Sequence, residues 1–180
     1  MKYIVPITCH FEDESHLCKT TLLRLDKSIQ VSDIDDYFII AGDVPYEKGS
    51  KTLSELSWEY LVHKGIVDKR IRNLKGGVGT FSEARILCNE YKGEELVIVS
   101  SSWYLFQAKP IFKKRAKENN IKISFVSIKN TAGLQTWITY ICLGILVRIT
   151  MIFMLDKYFE KIMAGWQKVR VDSFAFNGCK

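Results

Sequence analysis

Residues 96–128 read LVIVSSSWYLFQAKPIFKKRAKENNIKISFVSI, and this stretch decides the fold. Leu96 to Ser100 (LVIVS), apolar without a break through Val99, has the pattern of a strand buried on both faces. Trp103 to Asn119 has mainly helical spacing, and Asn119-Asn120 stop it. Ile123 to Ile128 (ISFVSI) is a second strand. Strand, long helix and strand make a βαβ unit, whose strands lie parallel.

The same alternation runs outward from this unit. Tyr3 to Thr8 is a strand, and Ser15 to Ile29 has helical spacing through Leu17, Leu22, Leu25 and Ile29. Tyr37 to Ala41 is a strand closed by Gly42-Asp43. Thr52 to His63 is a helix with Leu53, Leu56, Tyr60 and Leu61 on one side, and Gly65 caps it. Ile71 to Leu74 is a short strand. Thr80 to Tyr91 is a helix whose Thr80-Phe81-Ser82-Glu83 matches a capping box. The expected fold class is therefore α/β, with a mostly parallel, right-handed sheet of about five strands.

At 180 residues the chain has room for one domain with a full core, and its 47% hydrophobic and 26% charged residues exclude disorder, collagen and a multi-span membrane protein. The net charge of +6 favours anionic ligands or surfaces. The basic residues are scattered, and the densest run, Lys113-Lys114-Arg115 with Lys117, reads as a solvated helix face. No aromatic-basic platform accompanies it, so nucleic acid is not expected. The five cysteines are odd in number and form no CxxC, which implies neither a zinc site nor a disulfide framework. No metal is expected, and a reduced compartment follows. The start, MKYIVPITCHFEDES, turns acidic too soon for a signal peptide, so a cytoplasmic location is expected.

Residues 137–155, WITYICLGILVRITMIFML, carry one charge, Arg148. Their Ile, Leu, Val and Phe favour membrane insertion by roughly 3–6 kcal/mol, and Arg148 opposes it by about 2.5–3.5 kcal/mol. Lys157, Lys161, Lys168 and Arg170 follow the segment, against the positive-inside rule for a span. Tyr140, Gly144 and Arg148 form one narrow polar stripe at four-residue spacing. A hydrophobic C-terminal helix, buried on most sides or lying on a membrane surface, is expected rather than a spanning one. The chain then divides into an α/β domain, 1–130, and a helical extension, 131–180, packed on it. Membrane-surface contact would run through 137–170.

In an open parallel sheet, ligands bind beyond the carboxyl ends of the strands. Those ends are Thr8-Cys9-His10, Gly42-Asp43, Lys75-Gly76-Gly77-Val78-Gly79-Thr80 and Ser100-Ser101-Ser102. Gly76 and Gly77 would let the backbone approach an anion, with Thr80 at a helix N-terminus; the plainer reading is a flexible turn. The three serine hydroxyls would hold a ligand or cap the next helix. No GxSxG elbow makes one of them a nucleophile. His10 is the candidate catalytic acid or base, while His16 and His63 fall within helices as structural residues. A Cys9–His10 thiolate pair is not expected, because adjacent strand residues point to opposite faces. Asp43 would bind a ribose hydroxyl or a metal, or simply sit in a turn. Glu55 would reach the cleft from the first turn of its helix, or stay solvated.

The residues from Tyr37 to Ile128 resemble the YdcF/SanA/ElyC-like domain of unknown function found in bacteria. The shared features are YFIIAGD leading to Ser54-Glu55-Leu56, Gly65-Ile66-Val67 followed by Lys69-Arg70-Ile71, Gly79-Thr80-Phe81-Ser82-Glu83-Ala84, and VSSSWYLFQA at Val99 to Ala108. The family's usual His and Arg correspond to Tyr104 and Gln107, its Asn to Glu83, and its first glycine cluster to Thr8-Cys9-His10. The resemblance implies a Rossmann-like three-layer sandwich, a link to envelope biogenesis and, from one member, S-adenosylmethionine binding. Tyr104 would there stack on a base or donate a hydrogen bond. The function expected first is binding of a nucleotide-like small molecule or S-adenosylmethionine through Asp43, Glu55, Gly76, Gly77, Thr80, Ser100, Ser101, Ser102 and Tyr104. A transferase or hydrolase acting on a phosphorylated or sugar-linked substrate through His10 is the second expectation. A membrane-surface interaction protein is the third.

Overall fold

The computed structural model describes residues 1–9, 11–42, 45, 49–76, 79–129 and 133–152. The strands are β1 (Lys2–Pro6), β2 (Phe11–Asp13), β3 (His16–Leu17), β4 (Tyr37–Ala41), β5 (Ile71–Leu74), β6 (Glu95–Ser101) and β7 (Lys122–Ile128). The helices are α1 (Lys19–Val31), α2 (Leu53–His63), α3 (Thr80–Glu90), α4 (Ser102–Glu118) and α5 (Leu134–Ile152). Five strands form one sheet in the order β5-β4-β1-β6-β7, every neighbouring pair parallel.

Alternation along the strands builds two cores. Tyr3 and Val5 of β1, with Leu96 and Ile98 of β6, pack under Phe81, Ala84 and Leu87 of α3 and Leu105, Ala108 and Phe112 of α4. Ile4, Val97 and Val99 pack on the opposite face under Leu25 of α1 and Leu53, Leu56 and Leu61 of α2. Helices thus cover both faces, as a parallel sheet requires. The chain leaves β1 toward β4 and β5, then returns to β6 on β1's other side. Such a switch point opens a crevice at the carboxyl ends of the two central strands.

The helix expected from Ser15 begins only at Lys19. Residues before it form an antiparallel hairpin, with Phe11 opposite Leu17 and Asp13 opposite His16. Asp13 makes the turn: its Oδ1 accepts the Ser15 backbone N–H at 2.8 Å, and the His16 ring lies 2.8 Å away. His16 therefore stands on a strand rather than on a helix.

The capping box also moves. Gly79, at φ +90°, occupies the N-cap of α3, so Thr80 is already helical and Ser82 Oγ donates to Gly79 O. The reciprocal box forms at α2 instead, where Thr52 Oγ1 accepts from Glu55 N–H and Glu55 Oε2 accepts from Thr52 N–H at 2.7 Å.

α5 lies on α4. Gly144 and Val147 are buried there, and Arg148 donates to Phe106 O at 3.1 Å while stacking 4.3 Å from its ring. The 140/144/148 stripe is thus the packed face. Contrary to a helix buried on most sides, α5 leaves Ile138, Ile141, Ile145, Leu146 and Ile149 exposed. Among the described residues, no helix is long and apolar enough to cross a membrane.

Candidate functional site

Arg24 occupies the crevice between β1 and β6. On the buried face of α1 the positions Thr21, Arg24, Leu25 and Ser28 recur at helical spacing, which carries the arginine inward. Its Nη1 donates to Ile7 O at 2.7 Å, just past β1. Its Nε and Nη2 both donate to Ser101 Oγ, at 3.2 and 3.0 Å, at the end of β6. The guanidinium carbon sits 5.5 Å from the ring centroids of both Trp103 and Tyr104. The side chain is 0% exposed, and no carboxylate pairs with it among the described residues.

Tyr104 carries the cluster onward to α3. Its hydroxyl lies 2.6 Å from Thr80 Oγ1. Burial pushes its phenol pKa well up, and the nearby Glu83 charge pushes it further. Burial likewise raises the Glu83 carboxyl to about 7. Tyr140 of α5 closes the far side, its ring 4.4 Å from Trp103 and 5.9 Å from Tyr104. The result is a buried cation, a hydroxyl pair and a carboxyl that titrates near neutrality, held on three helices at one edge of the sheet.

No family model, curated protein or solved structure matches the chain. Its chemistry is therefore read from the residues alone.

Among the residues singled out by sequence, Thr80, Ser101 and Tyr104 come together. Ser100 Oγ is fully buried without a hydrogen-bond partner among the described residues. Ser102 opens α4 beside them. Glu55 is spent on the α2 cap, and the Thr52 N–H it accepts holds its pKa low. Gly76 is exposed at φ +79°, just past β5. His10, Asp43 and Gly77 lie outside the described residues.

Sequence reasoning missed Arg24 and Glu83 as site residues. Arg24 had a signal: a charge on the same helical stripe as Leu25, where a solvated arginine does not belong. Glu83 was masked by its apparent role in a cap.

Proposed function

We propose that the crevice between the carboxyl ends of β1 and β6 binds a small anionic, nucleotide-like molecule. Arg24 carries this reading. A buried guanidinium with no carboxylate paired to it among the described residues is a charge short of its counter-charge. A phosphate or carboxylate supplies one, with the bidentate geometry that arginine favours. Ser101 Oγ accepts two bonds from Arg24, which leaves its own hydrogen to donate to the ligand. Because the Trp103 and Tyr104 rings cover Arg24, direct pairing requires a side-chain shift. The positive charge favours a phosphate-bearing nucleotide over S-adenosylmethionine, whose net charge is positive. The strand order suits a Rossmann-like assignment, and the resemblance to the YdcF/SanA/ElyC-like domain extends the proposal to envelope biogenesis.

A thermal-shift titration with ATP, AMP, sugar phosphates and S-adenosylmethionine tests it. Binding to the native state raises Tm with concentration. We expect a nucleotide to do so, and Arg24→Met to weaken that ligand at least tenfold. The absence of any shift at millimolar ligand overturns the reading.

Glu83 favours a second reading, a transferase or hydrolase whose acid or base is this carboxyl rather than His10. A group titrating near 7 is matched to proton transfer at neutral pH. Turnover would then show a pH limb near 7 that Glu83→Gln abolishes. The exposed isoleucines of α5 favour a third, contact with a membrane surface. Co-sedimentation with anionic vesicles that weakens as salt rises would support it; unchanged binding after removal of residues 131–180 would not.

A further inference from the structure

We infer that Cys9 and Cys18 form a dithiol that oxidises reversibly to a disulfide, a modification site independent of the ligand reading. Their sulfurs lie 3.5 Å apart, and neither is disulfide-bonded. Thr21 Oγ1 holds both, 3.3 Å from Cys9 Sγ and 3.4 Å from Cys18 Sγ, and also accepts the Cys9 backbone N–H at 3.2 Å. The β2–β3 hairpin brings them together: with Phe11 opposite Leu17, the chain returns so that Cys18 lands beside Cys9.

The two thiols are not equivalent. Cys9 is half-buried and lies past the carboxyl end of β1, so a small oxidant meets it before the buried Cys18. Cys18 is buried at the N-cap of α1, behind Cys9. Cys9 is thus the attacking residue and Cys18 the resolving one. Cys88 is buried, and its burial raises its thiol to about 11. Cys142 is exposed and free.

With hydrogen peroxide as oxidant the chemistry balances in two steps. The Cys9 thiolate attacks one peroxide oxygen, the O–O bond breaks, and hydroxide leaves a sulfenic acid on Cys9. The Cys18 thiolate then attacks the Cys9 sulfur, an S–S bond forms and the S–O bond breaks, releasing hydroxide. Each hydroxide takes up the proton its thiol had lost, leaving as water. Two thiols have lost two electrons to one peroxide. A dithiol reductant reverses the bond by thiol–disulfide exchange.

The experiment uses the full chain with Cys142→Ser and Cys179→Ser, which removes intermolecular pairing through those positions. The folded protein is treated with peroxide, remaining thiols are alkylated, and peptides are mapped by mass spectrometry. We expect a Cys9–Cys18 linked peptide, two hydrogens lighter, that a dithiol reductant restores. Cys88 stays a thiol under the same treatment. In a Cys18→Ser background the same oxidation stops at a Cys9 sulfenic acid that dimedone captures. Full alkylation of both Cys9 and Cys18 after complete oxidation of free glutathione in the same tube overturns the proposal. So does linkage of either one to Cys88 instead. The mapping on the parent protein decides the matter even if the Cys18→Ser variant fails to fold.

Discussion

The Tyr104 hydroxyl and the Thr80 hydroxyl meet at 2.6 Å, tying α4 to α3 across the carboxyl edge of the sheet. Tyr104→Phe removes that bond and keeps the ring against Arg24 and Tyr140. It strands a half-buried Thr80 hydroxyl, at about 1 kcal/mol. Tyr104→Ala also empties the ring's volume, at about 3–5 kcal/mol. Urea unfolding separates the two; a Phe variant as stable as the parent would show that the hydroxyl pair contributes nothing.

Arg24→Met keeps much of the apolar stem and deletes the charge. It leaves Ile7 O and Ser101 Oγ without their donors, which outweighs the relief of burying one less charge. The expected net loss is about 1–3 kcal/mol in denaturant unfolding. Equal stability of the two proteins would mean that the cost of burying the guanidinium cancels its three hydrogen bonds.

Glu83 makes stability depend on pH. Its folded pKa, about 7, lies above the ordinary 4.5, so the folded protein holds this proton longer than the unfolded chain. The contribution is fully present below pH 4.5 and is lost as pH rises to about 7. Above that the penalty is constant. Because the residue is only partly buried, solvent screening limits the change to about 1–3 kcal/mol. Glu83→Gln removes it. That variant should match the parent at pH 4.5 and exceed it at pH 8 in thermal unfolding; parallel curves across the range would refute the shift.

Gly144→Ala tests the seat of α5. The added Cβ would stand 2.6 and 2.8 Å from two Phe106 ring atoms. The ring is held from above by Arg148 at 4.3 Å, which resists its swinging away. Overpacking of about 1–3 kcal/mol should outweigh the gain of about 1 kcal/mol that Ala brings to a helix interior. Faster amide exchange in α5 is the expected sign. Slower exchange would mean that Phe106 moves aside without cost.

The sheet was legible because a strand covered on both faces must be apolar throughout, as YFIIA and LVIVS are. Thr80, Ser101 and Tyr104 were legible because they stand at or beyond the carboxyl ends of strands, the edge where ligands gather. The hairpin was not, since its strands are short and polar and its turn depends on the Asp13 side chain. Arg24 escaped because three of the four residues on α1's buried face are polar, while the visible apolar spacing ran through Leu22, Leu25 and Ile29. The meeting of Cys9 and Cys18 depended in turn on the unseen hairpin.

The place of β1 has a consequence for how the protein is made. Lys2 to Pro6 emerge long before β6, yet they pair with it at the centre of the sheet, with Lys2 opposite Glu95 and Pro6 opposite Val99. One side of the strand can pair with β4 soon after it appears. The other side must wait for β6, roughly 5–20 s at ordinary elongation rates. Through that interval Tyr3, Ile4 and Val5 present an apolar, unpaired edge. The nascent chain is then most open to wrong partners, and the sheet closes only when the ribosome has passed β6.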